Sequence, residues 1–290
     1  MTDESSRTAD GLLRALALRS SDGAPIRAYA GGLEGAPVVV LINALGMPVD
    51  FWLPLSRALA PRFRILTWES RGVADDDADF DAERCDVACH VEDLLALLKA
   101  GRVEAAHVIA WCNGAQVALR FASAHASRAG RLVLLNGTFN LPEDVPRTGF
   151  EKNMRLLMPK IAGNAAYAQL YQQMANAGAA GPQTGTALCS DPALLQLASA
   201  PYQTPARLRR YASLITRTLA EPSHALAERI SASVLVVSGA HDQVSHPAAS
   251  AEIAGRIKGA RLVSLDEGDH YSLYHDERLH EVVLDFLSGG

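Results

Sequence analysis

Three residues of this 290-residue chain have the types that nucleophilic acyl chemistry requires: Cys112, Asp242 and His270. A thiol attacks poorly until it loses its proton. A neighbouring imidazole can take that proton, and a carboxylate can hold the imidazole in the right tautomer. Cys112 follows Ala106 to Trp111, a short apolar run suited to a buried strand. It precedes a helical pattern from Asn113 to about Ala126, with Ala115, Ala118, Leu119 and Ala122 on one face. So tight a strand-to-helix turn aims its residue out of the sheet, at the positive end of a helix where backbone N–H groups are free. The turn needs small neighbours, and Ala110 and Gly114 take those places. Taken alone, Ala-x-Cys-x-Gly reads more readily as a small apolar thiol in a core. The positions of Asp242 and His270 change that balance, because each follows the end of a predicted strand.

The other chemically capable residues have plainer readings. Cys85 and Cys89 lie one helical turn apart, and a metal pair would need two more ligands where only His90 is near. They read as thiols on a helix, and Cys189 stands apart from all three. Asp75, Asp76, Asp77, Asp79 and Asp81 crowd one loop, but without the Gly and terminal Glu of a calcium loop they read as solvated acid. Asp269 is a rival to Asp242. Asp242 is preferred because it ends its own strand, whereas Asp269 and His270 are adjacent and adjacent side chains point apart. His241 shapes its turn, and His107 begins a strand as a core or edge residue.

The elements that would position the triad follow from periodicity. Leu12 to Arg19 and Pro25 to Ala30 flank a Ser-Asp-Gly turn and read as a hairpin, broken by Gly31, Gly32 and Gly35. Pro37 to Asn43 is an apolar run suited to a buried parallel strand. A helix from Val49 to Ala60, a strand from Phe63 to Trp68 and a helix from Cys85 to Lys99 lead to the Cys112 strand. Arg131 to Asn136 is the next strand. This alternation predicts an α/β fold, a mostly parallel sheet with helices on both faces. From Asn140 to about Ile230 only helical patterns occur, interrupted by the Gly178 to Gly185 break; Pro192 to Ala200 and Ala206 to Ala220 are two of them. Tyr167, Leu170, Tyr171 and Met174 fall at helical spacing and read as internal packing before a substrate wall. Strands return at Ala232 to Ser238 and Ala260 to Leu265, with helices at Ala248 to Ile257 and Leu279 to Leu287.

Composition bounds the function. The chain is 49% hydrophobic and 20% charged, with net charge −5 and a pI near 6.0. That balance supports a globular core and disfavours nucleic acid as a partner. No apolar run spans a bilayer, and Met-Thr-Asp-Glu-Ser-Ser is not a signal sequence, so a soluble cytoplasmic protein with no membrane partner is expected. No phosphate loop, dinucleotide fingerprint or metal cluster appears, so no cofactor is expected.

The order nucleophile, acid, base, together with the Cys112 turn, resembles the α/β-hydrolase fold family, from about residue 12 to 288. Asn43-Ala44-Leu45-Gly46 is similar to the loop that usually reads His-Gly there. The resemblance implies an oxyanion hole from the N–H groups of Leu45 and Asn113. Ser70-Arg71-Gly72 resembles the family's Arg-Gly turn, with Ala74 at its usual second Gly. Gly239 to Asp242 resembles the acid turn, and Gly268-Asp269-His270 the Gly-x-His turn. Residues 140–225 sit where the family inserts a helical cap, so 1–139 and 226–290 would form the core. Leu41 to Gly72 looks most like the enol-lactonase and haloperoxidase-like branch, which usually carries Ser. Asn43, Ala44, Trp111, Tyr167, Tyr171 and Met174 are then candidates for the pocket.

Cys in place of Ser points to an activated acyl substrate. Thiolate attack on a thioester exchanges one thioester for another, whereas attack on an alkyl ester climbs to a higher-energy acyl-enzyme. Cys-containing members of the family include dienelactone hydrolases and some offloading thioesterases. The resemblance thus implies a small-molecule acyl substrate, free or bound to a carrier protein or coenzyme A. The outcome would be hydrolysis, transfer or cyclisation. The alternatives are a lactone or carboxylic-ester hydrolase, or a non-catalytic binder of a small ligand.

Overall fold

Runs that are apolar at every position become strands buried on both faces, and that is what the chain builds. The computed structural model describes residues 11–73, 80–176 and 191–289. Eight strands form one sheet: β1 (Leu13–Arg19), β2 (Pro25–Gly32), β3 (Val38–Ile42), β4 (Arg64–Trp68), β5 (Ala106–Trp111), β6 (Ala129–Leu135), β7 (Val234–Gly239) and β8 (Arg261–Leu265). Their order is β1-β2-β4-β3-β5-β6-β7-β8. β2 pairs antiparallel with β1 and β4, and every pair from β4 onward is parallel.

The period of two is visible beneath the uniform apolar runs. Val40, Ile42, Val108, Ala110, Leu132, Leu134 and Val236 face one core. They meet α2 (Val87–Ala100), α3 (Gly114–Ala124) and α9 (Pro247–Arg256) through Leu94, Leu119 and Ile253. Val39, Leu41, Ile109, Trp111, Val133, Leu135 and Val237 face the other. They meet α1 (Leu53–Leu59), α10 (Ser272–His275) and α11 (Glu277–Ser288) through Leu55, Leu59, Leu273, Leu279 and Val283.

Between β6 and β7 lie α4 (Gly149–Gly163), α5 (Ala165–Asn176), α6 (Pro192–Ser199), α7 (Pro205–Thr218) and α8 (Ser223–Ala227). A capping box starts α4: the Thr148 hydroxyl accepts from the Glu151 N–H while the Glu151 carboxylate accepts from the Thr148 N–H. Met154, Met158, Ile161, Ala168, Tyr211 and Ile215 give α4, α5 and α7 an apolar cluster of their own. Leu226 and Ala227 of α8 instead join the core of the sheet. No described helix is long and apolar enough to cross a membrane.

Two local expectations fail. β2 continues through Gly31 and Gly32 rather than breaking there, pairing with Ile65 and Arg64. Only glycine fits: a Cβ would stand 2.5 Å from the Leu12 carbonyl oxygen at Gly31 and 2.2 Å from that of Phe63 at Gly32. The helix expected from Val49 opens as a 3₁₀ turn, Val49–Trp52, and becomes α-helical at Leu53, where Pro54 occupies the first turn. Asp75, Asp76, Asp77 and Asp79, the Gly178 to Gly185 break and Cys189 lie outside the described residues.

Candidate active site

The carboxyl ends of the parallel strands converge on one edge of the sheet, and the chemistry gathers there. Cys112 follows β5 with φ +54, a left-handed conformation rare for a side chain with a Cβ. Three bonds fix it. Its N–H donates to the Leu135 carbonyl, and its own carbonyl accepts from the N–H groups of Thr138 and Ala115. Gly114 must be glycine, because a Cβ there would lie 2.3 Å from the Asn43 carbonyl oxygen.

Asp242, after β7, has a buried carboxylate. Its Oδ1 accepts from the N–H groups of Val244 and Ser245, both at 2.8 Å, which leaves Oδ2 for Nδ1 of His270 at 2.8 Å. Asp269, the rival acid, is taken by the Tyr271 N–H and His275. The backbones of the acid and base turns touch, and a Cβ on Gly239 would meet the Gly268 carbonyl at 2.5 Å. The His270 ring lies against Trp111, 5.2 Å between centroids, and the Trp111 indole N–H donates to the His270 carbonyl.

Burial is the largest influence on His270 and opposes a charged ring. The negative charges of Asp242 and of a Cys112 thiolate, with a hydrogen bond to each, outweigh it and push His270 up to about 10. On its other side the Cys112 sulfur meets the Thr138 hydroxyl at 3.3 Å, and that hydroxyl is hydrogen-bonded in turn to Ser245. The three groups chosen from the sequence therefore stand together at one end of the sheet, with Cys112 and His270 lining the same cleft.

The Asn43-Ala44-Leu45-Gly46 loop holds an arrangement the resemblance does not imply. The Leu45 N–H donates to Oδ1 of the Asn113 side chain at 2.8 Å. In this state the N–H expected to face a substrate oxygen faces an amide oxygen of the chain itself. Asn43 does not line the pocket. Its side-chain amide donates to the Met47 and Pro48 carbonyls, bracing the loop from behind.

A cleft of about 850 Å³, its open mouth included, runs from Cys112 and His270 up between the helices of the insertion. Of the pocket candidates, Ala44 and Trp111 line it, with Leu45, Met47, Phe139, Met154, Tyr202, Tyr211 and Ile215. Tyr167, Tyr171 and Met174 do not. Tyr167 and Met174 are 52% and 42% exposed among the described residues. The α5 helix docks through Ala168 and, partly, Tyr171. Helical spacing finds a stripe but does not say which of two adjacent stripes turns inward.

Sequence reasoning missed Asn136 and Thr138. Asn136, with φ +45, follows β6 directly. Its amide nitrogen donates to the carbonyls of Asp269 and His270, and its oxygen accepts from the Gly239 N–H, so one side chain ties the acid strand to the base loop. The available signal was an Asn, a type tolerant of left-handed backbone, closing an apolar run. His107 is structural: its Nδ1 accepts from the Arg131 N–H. His241 is exposed at the turn surface. Among the described residues no three His, Cys, Asp or Glu side chains are placed to share a metal ion.

The fold and the strand-end triad define a class, and comparison with known proteins agrees: the profile of the α/β-hydrolase fold matches residues 37–277, and the chain belongs to that family. Among curated relatives, the protein named "Putative carbamate hydrolase RutD" of Caulobacter vibrioides is 26% identical over 96% of this chain and all of its own. Its namesake from Stutzerimonas stutzeri is 28% identical over 87% of this chain and 92% of its own. Among solved structures, the enol-lactonase of Burkholderia xenovorans LB400 superposes with a TM-score of 0.76 at 25% identity, covering 94% of this chain and all of that one. A hydrolase from Pseudomonas aeruginosa superposes at 0.77 with 24% identity, over 95% and 98% of the two chains.

Proposed function

We propose that this chain is an acyl-transfer hydrolase that works through a Cys112 acyl-enzyme on thioesters or comparably activated esters. The observation that carries the reading is the Asp242–His270 hydrogen bond, with His270 and Cys112 lining the floor of one cleft. The thiolate attacks the carbonyl carbon, and negative charge gathers on the carbonyl oxygen. The Asn113 N–H stabilises that charge, joined by the Leu45 N–H once the Asn113 carboxamide leaves it. His270 gives its proton to the departing thiol or alcohol, and the acyl group stays on sulfur. Water then attacks the thioester, His270 takes its proton, and the acid departs as the thiolate re-forms. The helical insertion acts as the cap that shelters these steps.

Lactone hydrolysis is the second reading, favoured by the likeness to an enol-lactonase. The relatives' name adds carbamates to the substrates worth testing. Incubation with a panel of thioesters, lactones and carbamates, followed by intact-protein mass spectrometry, tests the proposal. Acyl adducts on Cys112, with turnover lost in Cys112→Ala, are expected. Normal turnover in Cys112→Ala with no adduct in the wild type refutes it. An iodoacetamide-inert thiol would instead favour a non-catalytic binder.

A further inference from the structure

The Cys112 sulfur carries a hydrogen bond that the acid and base do not account for. The Thr138 hydroxyl stands 3.3 Å from it and is hydrogen-bonded to the Ser245 hydroxyl. The backbone fixes this row at both ends. The Thr138 N–H donates to the Cys112 carbonyl at 3.1 Å, and the Gln116 amide donates to the Thr138 carbonyl at 3.0 Å. The Ser245 N–H donates to Oδ1 of Asp242 at 2.8 Å. On either side of Ser245, the Val244 carbonyl accepts from the Thr148 hydroxyl at 2.9 Å, and the His246 N–H donates to the Glu151 carboxylate at 3.1 Å. The buried Ser245 is thus pinned by the acid on one hand and by the start of α4 on the other.

Proton count sets the direction of the row. Each hydroxyl has one proton to give. When Cys112 is a thiolate, the sulfur can only accept. Thr138 must then give its proton to the sulfur, and Ser245 its own to Thr138. The reverse order would turn the lone pairs of Thr138 toward a negative sulfur. A row ordered this way is polarised toward the charge, and hydrogen bonds to an ionised acceptor are roughly twice as strong as neutral ones. Thr138 also lines the cleft, so its hydroxyl borders the space beside the sulfur.

We propose that Thr138 is a further catalytic residue, the hydroxyl donor to the Cys112 thiolate, and that Ser245 is a positioning residue that aims it. The hold on the sulfur stands apart from the acyl-transfer reading; its use in turnover rests on that reading. As water displaces the acyl group, the carbon–sulfur bond breaks and its electron pair returns to sulfur. Thr138 receives that charge through its hydrogen bond and keeps its own proton.

Alkylation by iodoacetamide, followed at Cys112 by peptide mass spectrometry across pH, tests the hold without acyl chemistry. Thr138→Val removes the hydroxyl and keeps the backbone bonds. Its alkylation midpoint should lie about one pH unit above that of the wild type, which is about tenfold less thiolate at low pH. A thiolate without its donor is also the better nucleophile, by about threefold for that shift. The variant should therefore react about threefold more slowly at low pH and about threefold faster on the alkaline plateau. A distorted turn would slow both limbs alike. Thr138→Ser should restore the wild-type profile. Ser245→Ala should move the midpoint the same way by less, and adding it to Thr138→Val should change nothing more, because Ser245 acts through Thr138. His270, Tyr202 and Tyr211, whose titration responds to the sulfur's charge, are untouched in all of these variants. Hydrolysis of a hexanoyl thioester of N-acetylcysteamine should lose kcat with KM held in Thr138→Val, and recover in Thr138→Ser. Crossed alkylation profiles without turnover of any acyl compound support the hydroxyl row and remove the acyl-transfer reading. Turnover with superimposable profiles in wild type and Thr138→Val overturns the row alone, as does equal slowing at every pH.

Discussion

Asp242 and a Cys112 thiolate both favour a charged His270 ring, so the titration of that ring reports on the sulfur beside it. With the thiolate removed in Cys112→Ala, burial is opposed by Asp242 alone, and the imidazole should titrate well below about 10. Ring-resonance NMR of the two proteins checks this, and an unchanged midpoint would contradict the pairing. The sign for stability follows. A folded-state value raised above 6.5 gives a stabilisation that is full below that pH and lost as pH climbs toward about 10. Denaturation at pH 7 and pH 10 should show a larger loss in the wild type than in Cys112→Ala. The sequence disclosed these residues because each follows a strand end. It did not disclose the Asn113 oxygen on the Leu45 N–H, a contact across 68 positions that depends on one side-chain rotamer.

The strands were legible because burial on both faces writes a near-continuous apolar run, and β5 spans the predicted residues, Ala106–Trp111. Less legible were features set by what lies opposite: the glycines that keep β2 in the sheet, and the stripe by which α5 docks. The junction of β7 and β8 belongs to this class. Gly239 and Gly268 pass backbone to backbone, and the His241 N–H donates to the Gly268 carbonyl. Gly239→Ala forces a Cβ against that carbonyl, which must move the base turn off the acid turn. Overpacking of this kind costs about 1–3 kcal/mol. The expected outcome is a folded protein with a lowered Tm and a kcat reduced far more than KM. Thermal melts with steady-state kinetics read both, and unaltered kcat would contradict the account.

Across the whole molecule, one buried cation fastens distant parts. Arg71 of the turn after β4 holds Asp93 of α2 through two bonds, at 2.6 and 2.9 Å, and Asp22 of the β1–β2 hairpin at 2.7 Å. Family resemblance marked the Arg-Gly turn, but nothing in the sequence marked partners 22 and 49 positions away. Arg71→Met leaves the Asp93 charge buried without its cation and should cost about 3–5 kcal/mol in urea unfolding, with much of it recovered in Arg71→Met/Asp93→Leu. Burial acts to raise Asp93, but Arg71 and His90 hold it down to about 2. The stability this gives is present above 3.8 and fades as pH falls toward 2, and acid titration of the unfolding free energy should lose that step in Asp93→Asn. The order of the sheet has one more result. The half of the chain that carries Cys112 leaves the ribosome before the half that carries Asp242 and His270, and β7 and β8 must dock beside β6 to bring them in. A half-made chain therefore carries Cys112 without the acid or the base; the three groups come together late in synthesis, with the sheet's final edge.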